Sequence, residues 1–256
     1  MIGRKKVIVV LPAYNAEKTL ERTWAEIPRE VVDDVLLVDD SSRDKTVQLA
    51  EKLGIPVYRH LSNLGYGGNQ KTCYQAALDR GADIVVMLHP DYQYPPRLVP
   101  TLAALVESGM FHLALGSRIL GTGAIRRGMP WLKYVSNRFA TFVQNLLLGQ
   151  KFSEYHTGYR AFSREFLLNV PLLENSDDFV FDNQLLVQAI HFDYAIGEVS
   201  TPARYFPEAS SISTWRGLIY GLQVFGVTIQ CLLQRWGLAR FAIFDPAGRK
   251  LKEKKA

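Results

Sequence analysis

Short apolar runs alternate with longer amphipathic stretches over the first 115 residues. Residues 7–11, 35–38, 56–58, 84–88 and 113–115 have the unbroken apolar character of buried strands. Between them, residues 17–26, 45–53, 70–80 and 97–108 carry apolar positions at helical spacing. Strand and helix in regular alternation predict an α/β domain on a mostly parallel sheet with helices on both faces. Beyond residue 116 the pattern changes. Residues 116–128 form a loop containing Arg118, Arg126 and Arg127, and residues 131–148 predict a helix with Trp131, Leu132, Val135, Phe139, Phe142, Val143, Leu146 and Leu147 along one side. Residues 179–206 mix a helix with strands, and residues 217–234 then run for 18 positions without a charge, between Arg216 and Arg235.

As a helix that last segment would be about 27 Å long, against about 30 Å of bilayer hydrocarbon. Arg216, Gln223 and Gln230 recur every seven residues and Gln234 extends the stripe. Such a helix is expected to lie in a membrane interface or pack on the protein rather than span. The 131–148 helix, preceded by Arg126 and Arg127 and carrying Lys133 and Arg138, has a similar character. The plain alternative for each is a core-facing helix.

The chain has 256 residues, 48% hydrophobic and 21% charged, which allows a sizeable core and excludes a disordered or collagen-like chain. Its net charge of +5 is unevenly placed. Arg4, Lys5 and Lys6 give the first six residues +3, residues 249–256 sum to +4, and everything between sums to −2. A mildly acidic body argues against a groove for nucleic acid, whereas basic ends suit an anionic surface, at about 1 kcal/mol per residue near a charged leaflet. Cys73 and Cys231 lack metal-ligand spacing, which fits a reducing compartment and predicts neither a disulfide framework nor a structural zinc site. The apolar run at 7–11 is too short for the core of a signal peptide.

In parallel sheets ligands bind outside the carboxyl ends of the strands. Pro12-Ala13-Tyr14-Asn15 follows the first predicted strand, Asp39-Asp40-Ser41-Ser42 the second, Asn63-Leu64-Gly65-Tyr66-Gly67-Gly68-Asn69 the third and His89-Pro90-Asp91-Tyr92-Gln93 the fourth. Asp91 is the metal candidate, because one carboxylate suffices for magnesium or manganese when a diphosphate supplies further ligands. The alternative is a cap on the helix that begins near Pro95. One of Asp39 and Asp40 is positioned for a ribose or nucleobase, while Ser42 or Asp44 caps the next helix. The glycines of 65–68 permit close backbone approach to a ligand. Without a G-x-G-x-x-G after the first strand, a dinucleotide site is not expected.

P-A-Y-N at 12–15, V-D-D-S-S-R-D-K-T at 38–46, N-L-G-Y-G-G-N at 63–69, H-P-D-Y-Q-Y-P-P at 89–96, G-S-R at 116–118 and T-G-Y-R at 157–160 stand in the order and spacing of family-2 glycosyltransferases. Among these the chain resembles the polyprenyl-phosphate sugar synthases, over residues 7 to about 211. The resemblance implies the GT-A fold, with residues 7–115 as the nucleotide-sugar half and 116–211 as the acceptor half. Residues 212–245 would then be a membrane-associated helical segment and 246–256 a basic tail. It implies that Pro12, Tyr14, Asn15, Asp39, Asp40 and Gly68 hold the nucleotide sugar, that Asp91, Gln93 and His89 lie on the metal side, and that Arg118 and Arg160 face the phosphates and the acceptor. It further implies a divalent cofactor, Mn2+ or Mg2+, a nucleotide-sugar donor, a lipid-phosphate acceptor, no nucleic acid, and a place on the cytoplasmic face of a membrane.

Three departures stand out. His89 replaces a carboxylate, which shifts metal preference toward manganese. Ala16 replaces a glutamate, and Ser210-Ser211 lacks a lysine that would contact phosphate. An anionic phosphate acceptor needs no general base, whereas a hydroxyl acceptor does. The best-aligned acidic position is Gln184, so Asp182 is the candidate base, the alternative being a solvated helix residue. Transfer to a saccharide hydroxyl and a non-catalytic binding homologue are the rival readings. His60, His112, His156 and His191 show no ligand spacing and are expected to be structural.

Overall fold

A computed structural model describes residues 5–202, 204, 205 and 214–253. The strands are β1 (Val7–Ala13), β2 (Asp34–Asp39), β3 (Val57–Arg59), β4 (Ile84–Met87), β5 (Leu113–Ser117), β6 (Arg160–Ser163) and β7 (Ile196–Ser200). The helices are α1 (Leu20–Ala25), α2 (Thr46–Lys52), α3 (Tyr66–Asp79), α4 (Val99–Glu107), α5 (Trp131–Leu148), α6 (Arg164–Asn169), α7 (Phe181–His191) and α8 (Thr214–Arg235). The seven strands form one sheet in the order β3-β2-β1-β4-β6-β5-β7. All neighbours are parallel except β6, which runs antiparallel to both β4 and β5. This is the mostly parallel, GT-A-like architecture expected. The pattern of the sequence did not reveal β6 or α6.

Alternate residues of the central strands point to two separate cores, as the strand period of two requires. Ile8, Val10, Leu36 and Val38 pack with Tyr74 of α3 and with Phe181, Leu185 and Leu186 of α7. Val7, Val9, Leu11, Val35 and Leu37 pack with Leu20 of α1, Ala50 of α2, and Leu102 and Val106 of α4. The five predicted strands and the first four helices thus sit where their apolar runs put them.

Helix α5 is turned the other way. Its buried positions are Asn137, Thr141, Gln144 and Leu148, while Trp131, Leu132, Phe139, Phe142 and Leu146 are each more than 60% exposed. The buried polar side is satisfied by partners on neighbouring helices. The Gln144 amide donates to Thr228 Oγ1 of α8 at 2.9 Å and to Asn183 Oδ1 of α7 at 3.3 Å, and Asn183 donates back at 3.0 Å. Helix α8 buries Val224, Val227, Thr228 and Cys231 and leaves Leu218, Ile219, Leu222 and Ile229 exposed. It packs against α5 and α7. A second chain segment, residues 241–253, returns over the body: Ile243, Phe244 and Leu251 are buried, and the Gln188 amide donates to the Ile243 carbonyl at 2.7 Å.

Both basic ends are therefore docked where they are described. Lys5 Nζ donates to the Glu107 carbonyl at 3.1 Å and Lys6 Nζ to that of Arg80 at 2.7 Å, so each cation sits on the carbonyl end of a helix. Arg249 binds both oxygens of Glu174, and Arg164 pairs with Glu253. Lys5, Lys6 and Arg164 lie at the amino-terminal pole of the sheet, where β1 and β4 begin. Within residues 246–253, Leu251 is buried and Arg249, Glu253 and the Lys252 backbone are held against the domain.

Candidate active site

The opposite, carboxyl-terminal pole collects the polar strand ends. Pairing of Ala13 with Asp39 and of Val10 with Met87 sets residues 12–15, 39–42 and 89–91 side by side. Asn15, Ser41 and Tyr92 in these segments all have positive φ, at 53°, 64° and 58°. Non-glycine residues adopt that conformation at a cost, and such residues cluster at functional sites. Pro12 is buried in β1, and Tyr14 is half exposed. The Asn15 amide N–H donates to Ser42 Oγ and its side-chain oxygen accepts from the Arg43 N–H, both at 2.9 Å.

The two aspartates have different jobs. Asp39 is fully buried; Oδ2 accepts from the Ser42 N–H at 3.0 Å, and Oδ1 has no partner. A buried, unmatched carboxylate oxygen is costly unless a ligand donates to it. Asp40 is saturated by the chain itself, accepting from His60 Nδ1 and the Leu64 N–H at 2.8 Å and from the Gly65 N–H at 3.1 Å. The structure thus gives Asp40 a loop-holding role. Gly68 is likewise turned to the chain: a Cβ there would lie 2.9 Å from Leu64 Cβ, and at Gly67 one would lie 2.4 Å from the Ser176 carbonyl. The Gly67 N–H donates to the Asp177 carbonyl at 2.7 Å. These glycines admit the 176–181 segment rather than a ligand.

After β4, Asp91 Oδ1 accepts from the Gln93 N–H at 3.1 Å. The following helical turn starts at Pro96 without a side-chain cap, so Asp91 is not its cap. Gln93 is buried. The His89 ring stacks on Tyr66 with centroids 5.5 Å apart and planes at 14°, and its Nε2 lies 3.1 Å from the Tyr66 hydroxyl. That hydroxyl donates to Asp182 Oδ2 at 2.6 Å, and the Gln70 amide donates to Asp182 Oδ1 at 3.2 Å. Burial, reinforced by the Asp182 charge, pushes the Tyr66 phenol well above its ordinary pKa, so it keeps its proton. Asp182 is buried, which overturns the alternative of a solvated helix residue.

The two arginines are committed inward. Arg118 forms a buried ion pair with Glu154, with Nε at 2.9 Å, and also donates to the His156 carbonyl at 2.6 Å. Burial alone would raise the Glu154 carboxyl, but the Arg118 guanidinium outweighs it and holds the group below its ordinary value. Asn137 of α5 donates to the same carboxylate at 2.8 Å. Arg160, with no exposed surface, donates to the carbonyls of Thr157, Asp182 and Tyr155 at 2.8, 2.6 and 3.1 Å. Within the chain it thus braces the backbone behind the site. Arg118 keeps one terminal nitrogen toward the Tyr205 hydroxyl, at 3.5 Å.

Sequence reasoning gave no catalytic or binding role to four groups here. Tyr66 stood inside a quoted motif whose glycines drew the attention, and Glu154 has no periodic or motif signal at all. Lys133 Nζ lies 5.2 Å from the Tyr205 ring; burial, then the Arg118 charge, lowers its ammonium, while Glu154 and Asp91 oppose the shift. His156 Nδ1 is 2.8 Å from the Tyr220 hydroxyl of α8, and its Nε2 is buried without a partner. Burial pushes this imidazole down to about 4, Arg118 and Arg160 adding to the effect against Glu154. Ser210 and Ser211 lie outside the described residues. His60 is structural as expected, bridging Asp40 and Thr72.

Among the described residues no group of three or more His, Cys, Asp or Glu side chains could hold a metal by itself. Asp91 with His89 alongside fits instead a cation that completes its shell from phosphate oxygens.

The glycosyl transferase family 2 profile matches residues 8–170. Polyprenol monophosphomannose synthase of Mycolicibacterium smegmatis is 28% identical over 203 residues, covering 76% of this chain and 76% of its own. Undecaprenyl-phosphate mannosyltransferase of Micrococcus luteus is 27% identical over 241 residues, covering 91% and 95%. Among solved structures, glucosyl-3-phosphoglycerate synthase from Mycobacterium tuberculosis, in complex with Mn2+, uridine diphosphate and glucosyl-3-phosphoglycerate, superposes with a TM-score of 0.69 at 22% identity, over 93% of this chain and 82% of that one.

Proposed function

Because the chain belongs to glycosyl transferase family 2 and is a glycosyltransferase, we propose that it moves a sugar, with inversion, from a nucleotide diphosphate sugar to the phosphate of a polyprenyl lipid. The bond from the anomeric carbon to the diphosphate breaks, a bond to an acceptor phosphate oxygen forms, and the diphosphate leaves with the electron pair. Asp39 Oδ1 accepts an N–H or O–H of the nucleoside, with Tyr14 and Asn15 on the adjoining strand end. Asp91 holds a divalent cation, Mn2+ or Mg2+, with His89 and Gln93 beside it. When bound, that ion neutralises the developing charge on the leaving diphosphate. Arg118 and Lys133 supply positive potential on the acceptor side.

Asp182 carries the choice of acceptor. Both its oxygens already accept hydrogen bonds from Tyr66 and Gln70, so it is poorly placed to take a hydroxyl proton. A phosphate acceptor arrives anionic and has no proton to lose. The outward apolar faces of α5 and α8 support delivery from a membrane, since Tyr220 of α8 reaches His156 beside Arg118 and Arg160. We place the enzyme peripherally on the cytoplasmic face, with α5 and α8 as the lipid-contacting surface and residues 7–211 as the catalytic domain.

The test is transfer from a panel of UDP- and GDP-sugars, with Mn2+, to farnesyl phosphate or to farnesol. Product with farnesyl phosphate alone, and Asp182→Asn turnover within about tenfold of wild type, are expected; loss of about 10²–10⁴-fold in Asp182→Asn would mark a general base and a hydroxyl acceptor.

A further inference from the structure

Glu154 spends most of its hydrogen-bonding capacity on one residue. Its Oε2 accepts the backbone N–H of Arg118 at 2.7 Å, and its Oε1 accepts Nε of the same residue at 2.9 Å and one N–H of Nη2. The carboxylate therefore fixes both the root and the tip of that side chain. The other N–H of Nη2 goes to the His156 carbonyl at 2.6 Å. A guanidinium carries five N–H groups, so the two on Nη1 remain. Among the described residues Nη1 meets only the Tyr205 hydroxyl, at 3.5 Å, the limit of a hydrogen bond. Tyr205 also lines a cavity of about 420 Å3, together with Pro95, Arg127, Pro202 and Arg204. The carboxylate is in turn held by a lipid-facing helix. Glu154 is fully buried in the segment between α5 and β6, and its Oε1 takes a further hydrogen bond from Asn137 of α5 at 2.8 Å. A buried ion pair adds little stability over apolar side chains of similar volume. What this one adds is direction, because it leaves a single edge of the guanidinium open.

We propose that Glu154 is the positioning residue that aims the open edge of Arg118 at the acceptor, and that Asn137 carries the seating of α5 into that aim. This rests on the reading of Arg118 as an acceptor-side group. Pairing cancels most of the net charge of the arginine, so Arg118 offers the acceptor two directed N–H groups. The sugar-transfer step, more than nucleotide binding, then depends on Glu154, since a misplacement of about 1 Å is enough to cost about 10²-fold in rate.

The experiment is steady-state transfer to farnesyl phosphate or farnesol, with calorimetric titration of UDP or GDP on the same full-chain preparations. Glu154→Gln is expected to lower kcat about 10- to 100-fold while nucleotide affinity stays within about twofold. The KM for farnesyl phosphate should not rise, because the site gains one net positive charge. The double variant Arg118→Gln with Glu154→Gln should be no slower than Arg118→Gln, since Glu154 acts through that arginine. Asn137→Leu keeps the ion pair, carries the test should Glu154→Gln fail to fold, and should lose about 3- to 10-fold in kcat with nucleotide affinity unchanged. A Glu154→Gln kcat equal to wild type, losses that multiply in the double variant, or a loss that only tracks the fraction of nucleotide sites titrated would overturn the assignment. An Asn137→Leu enzyme at wild-type kcat would do the same. The kcat ratio is taken with whichever acceptor the wild type uses, so activity on farnesol alone would overturn the phosphate-acceptor reading and leave this assignment to the ratio. Transfer to farnesyl phosphate with Glu154→Gln unaffected would overturn the assignment alone, and no transfer to either acceptor would overturn both.

Discussion

Asp39 and Asp40 are adjacent, identical in type and both buried, yet only one has an oxygen to spare. Asp39→Asn would turn an amide N–H toward the nucleoside where an acceptor is needed. It should weaken nucleoside diphosphate binding about 10- to 100-fold in calorimetry, with little change in melting temperature. His156 makes a second residue-scale case. Its folded pKa of about 4 lies below an unfolded value near 6.5, so the unfolded chain takes up the proton first. The corresponding stability is complete above about pH 6.5 and is lost as pH falls toward 4, by up to about 3 kcal/mol. Urea melts from pH 7.5 to 4.5 should show a shallower pH slope in His156→Gln than in wild type. The sequence could nominate Asp39, Asp91 and Asp182 because they follow strand ends or motifs. It could not say which carboxylates were already satisfied, since the partners of Asp40 and Asp182 come from residues 20 to 116 positions away.

At the scale of elements, periodicity located α5 to the residue and left its direction open. An apolar stripe reads the same whether it faces a core or a lipid. The deciding signal was the other side, where Asn137, Thr141 and Gln144 meet Glu154, Asn183 and Thr228. Two variants separate the faces. Phe142→Ser with Leu146→Ser should lower co-sedimentation with anionic vesicles by tenfold or more, at about 1.5–3 kcal/mol per apolar side chain, without lowering the melting temperature. Gln144→Leu should leave vesicle binding intact and cost about 1–3 kcal/mol of stability, because Asn183 loses its partner. The short strand β6 escaped notice because it starts on a buried arginine whose charge interrupts any apolar run.

For the whole molecule, charge counting suggested two adhesive ends, and the described part of each lies against the body. Lys5, Lys6 and Arg249 are engaged through their side chains at positions on the body, so vesicle binding should depend more on α5 and α8 than on salt. Ending the chain at residue 248 removes the buried Leu251 and should cost about 1.5–3 kcal/mol in chemical denaturation. The order of the sheet has a consequence in time. β4 and β5 follow one another in sequence, but β6, made some 45 residues later, separates them. Until it arrives, β5 has no route to the strands made before it, and the exposed edge of β4 stands open. The first 115 residues, which contain the nucleoside-side motifs, are therefore no autonomous folding unit. Expressed alone, they should lack a cooperative thermal transition by circular dichroism, and the intact chain should acquire its nucleotide affinity only in the late, topologically slow phase of refolding.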